Sequence, residues 1–240
     1  MKPEDAVLQG LNPAQREAVL HRGSPLLVVA GAGSGKTRVV TRRIAQLVAT
    51  GTRPYSILAV TFTNKAAGEM RERVAALLGE SAPVWVATFH STAARVLRRE
   101  EGGLRRTRNF TIYDQDDSTA IIKAVLGEMR LDEKEYRPKS VLSFIDGCKR
   151  DGIGPGEAPG HGYRGRKMVE AFELYEERLR AANALDFNDL LGEMLRLFRE
   201  APEVLERYRR RFEHLLVDEY QDTNRMQYEL VRLLAGKGRG

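Results

Sequence analysis

Thiols are almost missing from this sequence: one cysteine, Cys148, stands among 240 residues. That excludes an internal disulfide and leaves no set of thiol ligands for a metal centre, the pattern of a protein kept in a reducing, intracellular setting. Long apolar runs are missing as well. None approaches the roughly 18 residues that a membrane-spanning helix needs. The start, Met1-Lys-Pro-Glu-Asp5, has no secretory signal pattern. A cytosolic chain is therefore expected. Neither sign of charge dominates strongly, since 39 Lys and Arg face 33 Asp and Glu for a net of +6. That surplus is a mild pointer to a polyanionic partner. Residues 91–213 are close to charge balance, so a binding patch must come from the arrangement of side chains and not from bulk charge. An apolar share of 42% suits one large domain or two small ones with a real core.

The most informative stretch is Leu26-Leu-Val-Val-Ala-Gly-Ala-Gly-Ser-Gly-Lys-Thr37. It reads as a short strand, Leu26 to Val29, then a glycine-rich turn, then a helix with apolar residues Val40, Ile44, Leu47 and Val48 at helical spacing. Gly31, Gly33 and Gly35 can take backbone angles closed to other residues. Successive N–H groups can then converge on an anion where the helix N-terminus adds partial positive charge. The loop Ala30, Gly31, Ala32, Gly33, Ser34 and Gly35 is thus a candidate phosphate cradle. In it Lys36 would reach the β- and γ-phosphates and Thr37 would ligate Mg²⁺. Ala30 stands where the usual pattern has Gly. A glycine-rich turn that binds nothing is the plainer alternative.

Upstream, Asn12 is a candidate N-cap with Pro13 in the first helical turn, which puts Gln15 near a helix start. A glutamine amide can donate to and accept from the N6/N7 edge of adenine, so Gln15 would favour ATP over GTP. Downstream, Ile57–Phe62 and Val84–Phe89 read as apolar strands, each preceded by turn formers (Gly51 to Pro54; Ser81 to Pro83), with Lys65–Leu78 helical between them. Strands alternating with helices indicate a parallel sheet, whose ligands bind beyond the carboxyl ends of the strands. Those ends carry Thr61, Phe62, Thr63 and Asn64, and Thr88, Phe89 and His90. Phe62 and His90 could stack on bases, and Thr61, Thr63, Asn64 and Thr88 could hold phosphates. Read from the residues alone, the plainer reading is favoured, with Phe62 and Phe89 as core and His90 as a satisfied loop histidine.

From Ser91 to about Arg211 the pattern is mainly helical, interrupted by the glycine- and proline-rich tract Asp151–Gly165, which reads as a mobile surface loop. The expectation is an all-helical insertion over residues 91–211 between two strands of the sheet, with residues 1–90 and 212–240 forming the α/β domain. The sheet resumes at His214-Leu-Leu-Val-Asp-Glu-Tyr-Gln-Asp-Thr-Asn224. There Asp218 is placed to hold the same Mg²⁺ as Thr37, and Glu219 to orient and deprotonate an attacking water.

Taken together, LNPAQREAV, AGAGSGKT, ILAVTFTNKAA, TFHS, ALDFNDLL and LLVDEYQDTN resemble the N-terminal part of the superfamily 1A DNA helicases of the UvrD/PcrA/Rep type, from about Leu11 to Asn224. The resemblance implies a RecA-like P-loop NTPase domain with an inserted helical subdomain called 1B. It also implies an ATP-driven motor that moves 3′ to 5′ along single-stranded DNA and separates duplex in repair or replication, in the cytoplasm with the nucleoid. By the same resemblance Gln15 reads adenine and Arg38 lies beside the nucleotide. Phe62, Asn64, Thr88 and His90 lie along the single strand, with Phe187 a further contact and Thr61 and Thr63 beside them as candidates from the residues themselves, and subdomain 1B lies near the duplex junction. The family continues into a second RecA-like domain, so a chain ending at Gly240 is expected to bind nucleotide weakly, to hydrolyse it poorly and not to unwind. A binding module with a vestigial ATP site is the competing expectation, and the helicase part of a helicase–nuclease shares these motifs. A signalling GTPase does not fit, since no guanine-reading motif is evident.

Overall fold

A computed structural model describes residues 3–79, 82–100 and 106–236. Ser81, expected in a turn, and residues 237–240 of the expected α/β domain lie outside the described residues. In chain order the regular elements begin with α1 (Pro3–Leu8), α2 (Pro13–Leu20), α3 (Lys36–Ala49), β1 (Ile57–Thr61), α4 (Asn64–Leu78), β2 (Trp85–Thr88) and α5 (Phe89–Leu97). There follow β3 (Thr111–Ile112), α6 (Gln115–Glu128), α7 (Pro138–Arg150), α8 (Gly162–Ala181), β4 (Ala184–Leu185) and α9 (Phe187–Glu200). The described chain closes with α10 (Pro202–Arg211), β5 (His214–Val217) and α11 (Arg225–Ala235). Two compact units result, one from residues 1–92, 202–223 and 231–240, the other from residues 93–201 and 224–230.

The first unit is built on a three-stranded parallel sheet in the order β2-β1-β5. The central strand, Ile-Leu-Ala-Val-Thr, is buried at every position. A continuous apolar run of this kind belongs to a parallel strand covered on both faces. Ile57 and Ala59 of β1, Val86 of β2 and Leu216 of β5 form one core with Ile44 and Leu47 of α3 and Met70 and Val74 of α4. Register pairs Thr61 with Thr88 and Val60 with Val217, so the carboxyl ends of the three strands finish level. Asp218 continues the ladder by one step, its N–H donating to the Val60 carbonyl at 2.9 Å.

Three expectations from sequence need correction. Leu26–Val29 is not a strand: it pairs with no neighbour, β5 is left as an edge strand, and the four side chains are exposed, Val29 to 87%. Apolar, β-branched composition makes a strand possible, but a strand exists only through a ladder to a partner. The second unit is not all-helical either. Thr111 and Ile112 pair in parallel with Ala184 and Leu185, two-residue strands too short to leave a period in the sequence. Around that ladder, Ile122, Val125 and Leu126 of α6 pack with Val141, Leu142 and Ile145 of α7 and Phe172, Tyr175 and Leu179 of α8. The glycine-rich tract also ends earlier than expected, since it contains a short 3₁₀ turn at Pro155–Glu157 and gives way to α8 at Gly162.

Candidate nucleotide site

The site grows from the loop between Ala30 and Lys36. Gly33 and Gly35 have φ of +74° and +86°, and Gly35 is the residue from which α3 starts. Such angles cost an L side chain about 1–2 kcal/mol, which is why this turn needs glycine. A Cβ on Gly31 or Gly33 would meet nothing within 4 Å, so the backbone there borders open space. Lys36 turns back over its own loop, Nζ donating to the carbonyls of Ala30 at 3.1 Å and Gly31 at 3.4 Å. Its charge is thereby held at the N-terminus of α3, where unpaired N–H groups also point.

Gln15 is joined to the same loop. Asn12 caps α2 through a reciprocal capping box with Gln15: Gln15 N–H donates to Asn12 Oδ1 at 2.9 Å and Asn12 N–H to Gln15 Oε1 at 3.1 Å. The amide then donates from Nε2 to the Ser34 carbonyl at 2.9 Å. One Nε2 hydrogen and one Oε1 lone pair remain for a base edge. Arg38 is exposed on the first turn of α3, and a Cβ on Gly10 would come within 2.8 Å of its guanidinium.

From β5 comes the acidic side. Thr37 Oγ1 donates to Asp218 Oδ2 at 3.3 Å. Asp218 is 5% exposed, and burial, followed by the neighbouring Glu219 charge, pushes its carboxyl above the ordinary range while the Thr37 hydroxyl pulls it back. Glu219 adopts φ +50°, a left-handed backbone that a glutamate enters only at a cost. Its N–H donates to Asp218 Oδ1 at 3.2 Å, and its carboxylate accepts from Gln221 Nε2. A hydroxyl beside a desolvated carboxylate is a pair of hard oxygen donors, the chemistry a Mg²⁺ ion takes. Among the described residues no cluster of three or more His, Cys, Asp and Glu side chains competes as a metal centre.

The residues expected along the single strand sit at the level ends of β1 and β2. Thr61 and Thr88 are buried. The Thr88 hydroxyl accepts from Ser91 N–H at 3.1 Å and donates to Ser91 Oγ at 2.9 Å; Thr63 caps α4 by accepting from Ala66 N–H at 3.1 Å. Asn64 is exposed at the start of α4. Phe62 is half-buried, its ring edge-on to Phe89 at 5.6 Å between centroids. His90 is half-buried too, and burial lowers its pKa below the ordinary 6.5. Phe187 belongs to the second unit and opens α9 with 48% exposure.

The profile of the UvrD/REP helicase N-terminal domain matches residues 11–239. The chain belongs to this family. Over 243 residues it is 51% identical to the ATP-dependent DNA helicase UvrD1 of Mycobacterium tuberculosis (strain ATCC 25618 / H37Rv), a match covering 98% of this chain and 32% of that protein. With the ATP-dependent DNA helicase PcrA of Bacillus subtilis (strain 168) it shares 47% identity over 233 residues, 95% of this chain and 32% of the relative. PcrA of Staphylococcus aureus (strain NCTC 8325 / PS 47) is 45% identical over 237 residues, again covering 32% of its length. This UvrD/REP-type chain thus spans about a third of the length of the curated relatives it matches. No described helix is long and apolar enough to cross a membrane.

Sequence reasoning passed over three features of the UvrD/REP-type chain. Asn12 was legible as a cap but not as the holder of Gln15. Gln221 stands within DEYQDT with no local signal that its amide would hold Glu219. Asp186 and Asp189 stood in ALDFNDLL at the i, i+3 spacing of a capping box, which was signal enough. Their third partner, Lys149, lies 37 residues upstream of Asp186 and carried no local signal.

Proposed function

We propose that this chain is the first nucleotide-binding part of an ATP-dependent DNA helicase, with a RecA-like P-loop fold, and that it takes ATP with Mg²⁺ at the loop Ala30–Lys36. The observation that carries the reading is the meeting of Thr37 and Asp218 beside Lys36, two ends of the chain joined at one point. The loop amides and Lys36 would hold the phosphates, and Gln15 and Arg38 would flank the nucleotide. Thr37 and Asp218 would hold the ion, which supplies charge neutralisation on the phosphate oxygens. Glu219 accepts a proton from water in this reading, its strained backbone fixing where the carboxylate points.

Thr61, Phe62, Thr63, Asn64, Thr88, His90 and Phe187 are assigned to single-stranded DNA. The unit of residues 93–201 and 224–230 is taken as the 1B-like subdomain, near a duplex junction. Because the chain covers about a third of its relatives' length, translocation and strand separation are assigned to the whole protein, in which a second RecA-like domain closes on the nucleotide. Its work is placed on chromosomal DNA in the cytoplasm.

The test is ATP hydrolysis by this chain with and without single-stranded DNA, beside Lys36→Ala and Glu219→Gln. The reading expects ATP binding that Lys36→Ala removes, with slow turnover that Glu219→Gln abolishes. ATP binding unchanged in Lys36→Ala, with DNA binding intact, favours instead a DNA-binding module with a vestigial nucleotide site.

A further inference from the structure

Within the second unit one ammonium is buried and grips both ends of a single helical turn. Lys149 of α7 is 8% exposed. Its Nζ lies 2.7 Å from Asp186 Oδ2, 2.7 Å from Asp189 Oδ1 and 2.5 Å from Glu176 Oε1. Asp186 is the N-cap of α9 and Asp189 its third residue. Asp189 N–H donates to Asp186 Oδ1 at 2.8 Å and Asp186 N–H to Asp189 Oδ2 at 3.1 Å. Each carboxylate therefore gives one oxygen to the helix end and the other to Lys149. The Tyr175 hydroxyl adds a donation to Asp186 Oδ2 at 3.0 Å. Phe187 stands between the two carboxylates as the first residue of α9, with its ring half in solvent.

We infer that Lys149 is a positioning residue for Phe187, locking the first turn of α9 so that the exposed ring is presented to a base of single-stranded DNA. This rests on the assignment of Phe187 to DNA made above. A capping box by itself is a modest surface device, and helix ends fray. Burying an ammonium is a poor way to gain stability, since an apolar side chain of similar volume commonly does as well or better. Burial by itself would drive the proton off Lys149, but the three carboxylates overrule it and hold the group charged. Such a cluster fixes geometry. An aromatic ring on a fixed turn loses less freedom on stacking than one on a frayed turn, which strengthens binding without a new contact.

The experiment is a double-mutant cycle on the full chain, read by fluorescence anisotropy with a fluorescein-labelled oligothymidylate. Phe187→Ala is expected to weaken binding about tenfold, the size of one lost base–aromatic stack. Lys149→Met is expected to weaken it at least about threefold, and the double variant to bind no worse than Phe187→Ala alone, since Lys149 acts through the ring. Should circular dichroism show that Lys149→Met does not fold, Asp189→Ala takes its place in the cycle, an alanine being at home in a first helical turn. Wild-type affinity in a folded Lys149 or Asp189 variant, or losses that simply add in the double variant, overturns the inference while leaving Phe187 on DNA. Wild-type affinity in Phe187→Ala overturns the assignment of Phe187 itself, and the inference with it.

Discussion

The hydroxyl of Thr37, second residue of α3, donates to Asp218 just past β5 across 3.3 Å, although 181 positions separate the two in the chain. Residues 93–201, the larger part of the second unit, lie between them in the chain. What brings them together is the parallel sheet: β5 lies against β1 in a register that delivers residue 218 level with the end of the central strand.

Asp218 illustrates a conflict between stability and chemistry. Its carboxylate is buried and lies next to Glu219, so ionisation is disfavoured in the folded protein. Asp218→Asn is expected to leave the thermal midpoint at or above that of the unaltered chain, while the Mg²⁺ dependence of nucleotide affinity disappears. Titration of a fluorescent ATP analogue with and without Mg²⁺ checks this. A persisting Mg²⁺ effect in the variant contradicts the assignment.

At Gly35 the backbone makes the prediction. Its φ of +86° excludes a comfortable Cβ, and an added one would come within 2.9 Å of Gln15 Nε2. Gly35→Ala should lower unfolding free energy by about 1–2 kcal/mol and weaken nucleotide binding by displacing Gln15. Urea unfolding and the same titration read the two effects. Unchanged values for both would mean that the loop tolerates a right-handed residue there.

A pH dependence follows from Asp189. Burial, opposed by Lys149 and reinforced by Asp186 and Glu176, raises its pKa from the ordinary 3.8 to about 7. The folded chain then holds a proton that the unfolded chain releases, so this group's contribution to stability is complete below about pH 4. It is lost progressively as pH rises to about 7. Asp189→Asn should flatten that fall. Urea midpoints compared at about pH 5 and about pH 8 decide it, with equal slopes in the variant and the unaltered chain as the refuting result.

The loop that follows Leu26–Val29 offers a fourth test. A Cβ on Gly31 or Gly33 would meet nothing within 4 Å, so the loop amides border open space. ATP with Mg²⁺ should slow amide exchange across residues 30–37 by engaging those N–H groups, and Lys36→Ala should abolish the slowing. Exchange followed by mass spectrometry reads it, and equal rates with and without nucleotide would rule out binding at the loop.

The local chemistry is legible in neighbouring residues: the loop AGAGSGKT, the helix cap at Asn12, the apolar strands read at Ile57–Phe62 and His214–Val217, and the acidic pair at 218 and 219. Each rests on backbone freedom or a period that is a local property. The rest depends on contacts between distant segments. Strand pairing left Leu26–Val29 outside the sheet and made a parallel ladder of Thr111–Ile112 with Ala184–Leu185, because a ladder depends on a distant partner and not on the propensity of one segment. Capping occupied the hydroxyls of Thr63 and Thr88, because a helix start needs its N–H groups satisfied. The join of Lys149 to Asp186 and Asp189 likewise appeared only in three dimensions, since a buried charge is balanced by whatever the fold brings near it, from any distance along the chain.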